Sequence, residues 1–287
     1  MRTRICGLAL AILVVPACLG GCGSLQDLLK LDKPTAEITG VSLSKFSLDA
    51  ATLLFDVEVD NPYGVPLPLV NLDYALASKG AEFLTGKADI QGAIPANGRK
   101  TVGLPAEVKF LDLLKAVRGV RAGSVVPYAA ELGLSVDAPA LGELRLPLRK
   151  EGKLPVPAAP EVSVAQVNWE ELTLERAGGR VKLALANRNE FPIELSKFKY
   201  GLSLAGVEVA DSSIQQALLF PAAGAGGGPV SLEIPISFSP KQAGMAVLQL
   251  LAGDGGSYQL NGVLDVNTPF GPLSMPLSET GRTVFKR

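Results

Sequence analysis

Acidic side chains recur along one short segment and are the first candidates for chemistry. In LLFDVEVD, Asp56, Glu58 and Asp60 alternate with apolar residues. Carboxylate oxygens are the ligands that Ca²⁺ prefers in proteins. The same alternation is typical of a strand with one face in the core and the other in water. We interpret the three carboxylates as a solvated strand face and predict no metal site.

Other catalytic constellations are missing from the sequence. The chain contains no histidine, which is the commonest general base. Glu170 and Glu171 are adjacent, so on a strand they point to opposite faces and cannot converge as an acid–base pair. The glycine-rich run at residues 222–229 lacks the Lys-Ser/Thr of a phosphate-binding loop. We therefore predict no catalytic residue, no cofactor and no enzymatic activity.

The N-terminus has the pattern of a secretion signal. Arg2 and Arg4 precede an apolar run from Ile5 to Leu19, which is too short for a comfortable membrane span. The following Leu19-Gly20-Gly21-Cys22 resembles the lipobox of bacterial lipoproteins, in which the cysteine is acylated and becomes the mature N-terminus. The resemblance implies that Cys22 carries a lipid anchor and that the membrane is a partner.

The resemblance also implies how the leader is processed. Residues 1–21 are the expected signal peptide and residues 22–34 the lipidated tether. Gly23 stands where an Asp marks inner-membrane retention, so the expected location is the periplasmic leaflet of the outer membrane. The chain has three cysteines, and Cys6 and Cys18 lie in the signal. The mature protein is therefore expected to have no disulfide and no Cys-ligated metal.

An internal repeat organises the rest of the chain. Asn61 aligns with Asn187, 126 residues later, and the same offset brings Tyr74 onto Tyr200 without a gap. The same gap-free offset pairs Pro66 with Pro192. With small insertions the alignment also pairs Phe110 with Phe238, Tyr128 with Tyr258, Pro139 with Pro269 and Gly152 with Gly281. This self-similarity indicates a duplication.

The repeat predicts two domains of the same architecture. The first covers residues 35–149, the second covers residues 161–287, and the Pro-rich residues 150–160 form an extended linker. Short alternating runs at regular spacing predict about seven strands per copy, as in a β-sandwich. One helix is expected in each copy, in FLDLLKAVRG and in KQAGMAVLQLLAG. The predicted fold class is all-β, with two tandem sandwiches that each carry one short inserted helix.

Prolines mark a bend in the segment VDNPYGVPLPLVNLDYAL. Pro62 and Pro66 cannot donate to a ladder, so the chain must leave the sheet here. Asn61 is expected to bond its own turn through its side-chain amide. Val65 and Leu67 are expected to point inward. We interpret the bend as a crossover between two sheets, with a structural role.

Two tyrosines follow the bend at equivalent places. Tyr74 and Tyr200 each lie on an alternating strand, so both rings are predicted to pack inward and to cover the crossover. Trp169 is predicted to pack in the core or at a sheet edge.

The same segment resembles a known family. Asn61-Pro62-Tyr63, followed by a strand that carries Tyr74, is similar to the signature of type 2 late embryogenesis abundant proteins, also called the water stress and hypersensitive response domain. The resemblance implies a fibronectin- or immunoglobulin-like sandwich and a non-enzymatic role in tolerance of desiccation or other stress.

The second copy carries a weaker form of the signature. It keeps Asn187, Pro192 and Tyr200 but has Arg188 where the first copy has Pro62. The family resemblance implies no catalytic residue in either copy, and these residues are expected to be structural.

Two functions remain open from the sequence. The first is a lipid-anchored envelope protein that protects membrane or proteins under desiccation. The alternative is a periplasmic lipid-binding or envelope-assembly module, because sandwiches edged by apolar helices such as Met245-Ala246-Val247-Leu248 can open a hydrophobic groove. Envelope proteins or lipids are the candidate partners. The formal charge of −1 and the lack of a basic run argue against nucleic acid.

Overall fold

The structure is a computed structural model that describes residues 32–139, 141–226, 228–243, 245, 256–283 and 285–286. The predicted signal peptide, Cys22 and most of the predicted tether lie outside these residues, as do Ala246, Val247 and Leu248. Strands dominate the described part, with short helices at α1 (Phe110–Ala116) and α2 (Pro240–Ala243). The all-β prediction is confirmed. No described helix is both long and apolar enough to span a bilayer.

The first repeat folds into antiparallel sheets. One has the order β1-β2-β6 and consists of β1 (Thr35–Phe46), β2 (Ala50–Asn61) and β6 (Gly98–Lys109). The other has the order β4-β3-β7-β8 and consists of β3 (Leu67–Ser78), β4 (Ala81–Asp89), β7 (Val125–Ala138) and β8 (Gly142–Pro155), with the short β5 (Ala93–Ile94) beside β3.

The second repeat has the same arrangement with one addition. Its first sheet has the order β14-β10-β9-β17 and consists of β9 (Glu161–Leu172), β10 (Ala177–Ala186), β14 (Val230–Phe238) and β17 (Phe285–Lys286). Its other sheet has the order β12-β11-β15-β16 and consists of β11 (Ile193–Leu204), β12 (Val207–Ile214), β15 (Gly256–Thr268) and β16 (Gly271–Thr283), with β13 (Leu218–Phe220) beside β11. The addition is β17, which pairs with β9 in parallel.

Each repeat encloses its own apolar core, and the alternating strands supply it. In β2, Phe55, Val57 and Val59 are all 0% exposed, whereas the intervening acidic residues face outward. In β10, Val181 and Leu183 occupy the equivalent places in the second core. Because successive side chains of a strand point to opposite faces, this period of two places one row in the core. Each fully buried aliphatic side chain contributes about 1.5–3 kcal/mol.

The structure corrects the predicted orientation of Val65. Its side chain is 48% exposed, although Leu67 is buried as expected. At the equivalent position of the second repeat, Phe191 is buried because its ring packs edge-on against Phe270, with centroids 5.3 Å apart. The shorter Val65 side chain is left in solvent.

The residues expected to form the linker are only partly outside the sheets. β8 continues to Pro155, and its last residues, from Lys150 onward, pair with the Val125–Ala130 half of β7. The sequence does not show this, because Gly152 and the prolines interrupt the alternation of apolar residues by which a strand is recognised.

Tyrosine rings lie across glycines of the neighbouring strand in both repeats. Tyr128 is directly opposite Gly152, and Tyr258 is directly opposite Gly281. A Cβ atom on Gly152 would lie 2.6 Å from the Tyr128 hydroxyl oxygen, and one on Gly281 would lie 2.7 Å from that of Tyr258. The glycines thus leave the space in which each ring covers its partner strand. This contact explains why both members of the pair recur in the sequence repeat.

We predict that Gly281→Ala destabilises the second repeat by about 1–3 kcal/mol, because the added methyl group must displace the Tyr258 ring. Urea unfolding of the whole chain, followed by circular dichroism, measures the change. Gly178→Ala in the same repeat is the control, since a Cβ atom there would meet no atom closer than the Ile236 carbonyl oxygen, at 4.0 Å. Equal unfolding free energies for the two variants would contradict the proposed role of the tyrosine–glycine pair.

Candidate functional site

A buried asparagine closes the bend of the first repeat. Asn61 ends β2 and is 0% exposed. Its Nδ2 donates to the carbonyl oxygens of Val65 and Pro95, both at 2.9 Å, and lies 3.3 Å from that of Ile94. Its Oδ1 accepts a hydrogen bond from the Tyr63 amide at 3.0 Å. One side chain therefore ties the bend to the end of β5.

The second repeat contains the same network. Asn187 Nδ2 donates to the carbonyl oxygens of Phe191 at 2.8 Å and Pro221 at 3.0 Å, and lies 3.4 Å from that of Phe220. Its Oδ1 accepts from the Asn189 amide at 2.9 Å. Each partner lies 126 residues after its counterpart in the first repeat. The two asparagines are thus equivalent buried centres of hydrogen bonding.

Only an amide side chain suits this position. Asparagine both donates and accepts, whereas an ionised aspartate would only accept and would place a negative charge beside the carbonyl oxygens. A buried carbonyl group left without a donor costs about 1–3 kcal/mol.

The remaining signature residues lie around these centres. Tyr63 is buried, and its carbonyl oxygen accepts a hydrogen bond from the Asn97 amide at 2.8 Å. Pro62 is half-buried and Pro192 is exposed.

The tyrosines that follow the bend differ between the repeats. Tyr200 is 2% exposed, and its hydroxyl group donates to the Pro235 carbonyl oxygen at 3.1 Å. Burial raises the pKa of Tyr200 above its ordinary value. Tyr74 is only half-buried, and its ring covers Gly86 on the neighbouring strand. Trp169 is also half-buried and packs edge-on against Phe238, with centroids 6.0 Å apart.

The acidic strand face is compensated by an arginine. Arg99, on β6, lies 3.9 Å from the Glu58 carboxylate and 3.6 Å from that of Asp60. Among the described residues, no group of three acidic, cysteine or histidine side chains is placed to hold a metal ion.

A second ion pair crosses the outer face of the other sheet. Arg145 Nε donates to Asp73 Oδ1 at 3.0 Å, and its Nη2 also contacts the carboxylate. The guanidinium group lies over Gly133, where a side chain would leave no room. Hydrogen bonding to Arg145 lowers the pKa of Asp73.

The second bend also holds the linker between the repeats. Asn189 stands where the first repeat has Tyr63, and it is 0% exposed. Its Nδ2 donates to the Ala158 carbonyl oxygen at 2.9 Å, and its Oδ1 accepts from the Ala158 amide at 2.7 Å. The asparagine side chain therefore pairs with the linker as a neighbouring strand would.

The same bend contacts the first repeat directly. The Glu190 amide donates to the Gly123 carbonyl oxygen at 2.7 Å, and the Glu190 carboxylate accepts from the Val125 amide at 3.0 Å. Gly123 has a φ of +92°, and a Cβ atom there would overlap the Arg188 carbonyl oxygen. Arg121 adds an ion pair to Glu190 at 3.5 Å. We call residues 121–125, 156–158 and 188–190 the joint.

Sequence reasoning missed the joint. Its only signal is the break in the repeat at Asn189, where a tyrosine is replaced by a polar residue that nevertheless becomes buried. A polar residue at a position that is apolar in the other copy indicates a new hydrogen-bond partner, because a buried polar group must be paired.

Comparison with known proteins gives consistent matches. A sequence profile of the family described as "Late embryogenesis abundant protein" matches residues 56–152 and 182–281. The desiccation protectant protein Lea14 homolog of Glycine max is 28% identical over 137 residues, which cover 48% of this chain and 90% of that protein. The late embryogenesis abundant protein Lea14-A of Gossypium hirsutum is 26% identical over 138 residues, which cover 48% of this chain and 91% of that protein. The solution structure of AT1g01470 from Arabidopsis thaliana covers 44% of this chain and 83% of that chain, at 28% identity and a TM-score of 0.37.

We predict that Asn61→Ala destabilises the first repeat by about 3 kcal/mol or more. The substitution removes the partner of the buried Tyr63 amide and the donor of the buried Ile94 carbonyl group, together with the donor of two partly buried carbonyl groups. Chemical denaturation of the whole chain measures the loss. Asn71→Ala is the matched control, since the Asn71 amide has only an exposed hydrogen bond to Glu143, at 3.3 Å. A stability loss no larger than that of the control would show that the bend does not depend on Asn61.

We predict that Gly123→Ala weakens the joint, because the methyl group would collide with the Arg188 carbonyl oxygen. Gly119→Ala is the control: Gly119 lies in the same connection and also has a positive φ, of +75°, but its nearest contact is the distant Lys79 Nζ at 4.0 Å. Both variants incur backbone strain of about 1 kcal/mol. Calorimetry should show a lower unfolding temperature for both variants, with a larger decrease and a broader transition for Gly123→Ala. Identical transitions would argue against the joint.

Proposed function

Because the chain belongs to the late embryogenesis abundant family, we propose that it is a non-enzymatic, lipid-anchored protein of the bacterial outer membrane that protects the envelope during water loss. The observation that carries the proposal is the family match in both repeats, at residues 56–152 and 182–281. The desiccation protectant of Glycine max, which is similar to about half of this chain, supports the link to water stress.

The N-terminal sequence supports the anchor. Leu19-Gly20-Gly21-Cys22 follows a charged and then apolar segment, in the order of a lipoprotein signal. With Cys22 lipidated, the tether from Gly23 to Pro34 would extend at most about 40 Å, at 3.3–3.6 Å per residue. The first repeat would therefore begin within that distance of the membrane surface.

The described surface suits protection by contact rather than by catalysis. Positive and negative side chains are interspersed on this surface. Arg149 forms an ion pair with Glu131, and Arg180 contacts both Glu170 and Glu233. The apolar side chains that drive folding are held in two closed cores. Exposed charges of both signs can replace water as hydrogen-bond partners of lipid headgroups and protein surfaces as drying proceeds.

We predict that Cys22→Ala abolishes incorporation of labelled palmitate and lowers survival of drying to the level of a strain that lacks the gene. The purified variant should still protect a drying-sensitive reporter enzyme, because the substitution leaves both repeats unchanged. The two measurements separate the anchor from the protective activity of the folded repeats.

Cys18→Ala is the matched control, because Cys18 lies in the segment that is expected to be removed. It should be labelled and processed like the unaltered chain. Continued labelling of Cys22→Ala would refute the anchor. Survival of the deletion strain at the level of its parent would refute the protective function.

A further inference from the structure

Two irregularities interrupt the pairing of β1 with β2. Thr39 and Ser44 have no counterparts in the β2 register, so each is an extra residue on β1. In the second repeat, Ala165 and Glu170 are the corresponding extra residues on β9. Both lie 126 residues after their counterparts. Because bulges of this kind fix the twist and position of an edge, β1 and β9 present the same edge in the two repeats.

In the second repeat this edge is covered by the end of the chain. β17 pairs in parallel with Val167 and Asn168, which lie between the two irregularities of β9. Val167 is 0% exposed. The edge between the irregularities is thus shaped to accept an added strand.

In the first repeat the same edge has no covering strand among the described residues. β1 ends its sheet, and Val41 and Leu43, between the irregularities, are only half-buried. The chain that leaves β8 does not cover this edge, because it enters the joint. There Val156 exchanges hydrogen bonds with the backbone of Gly123 at 2.6 Å and of Ser124 at 2.9 Å.

The uncovered edge forms one wall of a cleft of about 540 Å³. The floor contains the buried Leu53 and Tyr128, and the second repeat contributes Pro269 and Phe270. The opposite wall is β8 from Lys150 to Lys153. An apolar floor beside a free strand edge provides both the backbone hydrogen bonds and the side-chain pocket that an extended peptide requires.

The cleft carries an uncompensated positive charge. Lys150 is half-buried and lies on the same row of β8 as the buried Leu148 and the half-buried Gly152. It makes no ion pair with any described residue. On the rim, Glu151 and Lys153 offset each other in charge. The cleft therefore favours a ligand that brings a carboxylate.

We propose that this cleft is a strand acceptor for a partner protein. An extended segment adds in parallel to β1 at residues 41–43, places a bulky apolar side chain over the floor, and follows it with acidic residues near Lys150. The chain's own end is a poor occupant, because Lys286 and Arg287 would add positive charge to the cleft. The described residues also contain two such edges but only one strand, β17, that covers either of them.

The test uses two labelled peptides and the whole chain. One peptide, ETGRTVFKR, is the chain's own last nine residues, and the other, ETGETVFEE, replaces its basic residues with glutamate. In fluorescence polarisation, the acidic peptide should bind saturably and about tenfold more tightly than the basic one. Lys150→Glu should reverse this preference. Lys115→Glu, at an exposed position on α1, is the matched control and should leave the preference unchanged.

Hydrogen exchange on the unaltered chain tests the mode of binding independently of any variant. The acidic peptide should slow amide exchange at residues 40–44 and leave β9 unchanged. The proposal is overturned if the acidic peptide does not bind saturably, if Lys150→Glu leaves its affinity unchanged, or if binding does not protect residues 40–44. Binding of oleate without binding of either peptide would assign the cleft to lipid and would also overturn it.

Discussion

Each sandwich depends on one buried amide group. The bend after β2 is rich in proline, so its backbone has few N–H donors, yet the Val65 and Pro95 carbonyl groups face inward. Both carbonyl groups are partly buried, and the Asn61 amide lies within hydrogen-bond distance of each. Asn61 supplies the missing donors and at the same time accepts from the Tyr63 amide. The crossover between the sheets, and hence the closure of the core around Phe55 and Leu67, rests on this side chain.

The asparagine side chain forms the hydrogen bonds of the bend by itself. The side chain two residues later can therefore differ between the repeats. In the first repeat it is Tyr63, which fills the core. In the second it is Asn189, whose side chain forms two hydrogen bonds with the backbone of Ala158 in the linker. The same turn therefore packs a single domain in one copy and joins two domains in the other. Glu190 completes the change, since it bonds the backbone of Gly123 and Val125.

Sequence patterns predicted the parts of this fold that depend on local periodicity. The alternation in β2 and β10 indicated the strands and their buried rows, and the repeat of Asn61 at Asn187 indicated the bend. Contacts between distant segments could not be predicted from these patterns. For example, nothing near Gly152 in the sequence indicates that it lies opposite Tyr128. The exposure of the Val65 side chain and the pairing of the two-residue β17 with β9 also depend on contacts with distant residues. The alternation of apolar residues along the sequence therefore does not predict them. The sequence shows a polar residue, Asn189, at the place of Tyr63, but it does not show that the hydrogen-bond partner of Asn189 is Ala158.

The joint and the open edge of β1 have one origin. In the second repeat the chain that follows β16 is free to return and pair with β9. In the first repeat the equivalent chain must continue into the next domain, where Val156 and Ala158 are held by hydrogen bonds. Linking two copies in tandem therefore leaves the β1 edge without a paired strand in the part of the chain that the structure describes. Because β1 begins at Thr35, directly after the proposed tether, lipidation of Cys22 as proposed would hold a partner bound to this edge near the membrane at high effective concentration.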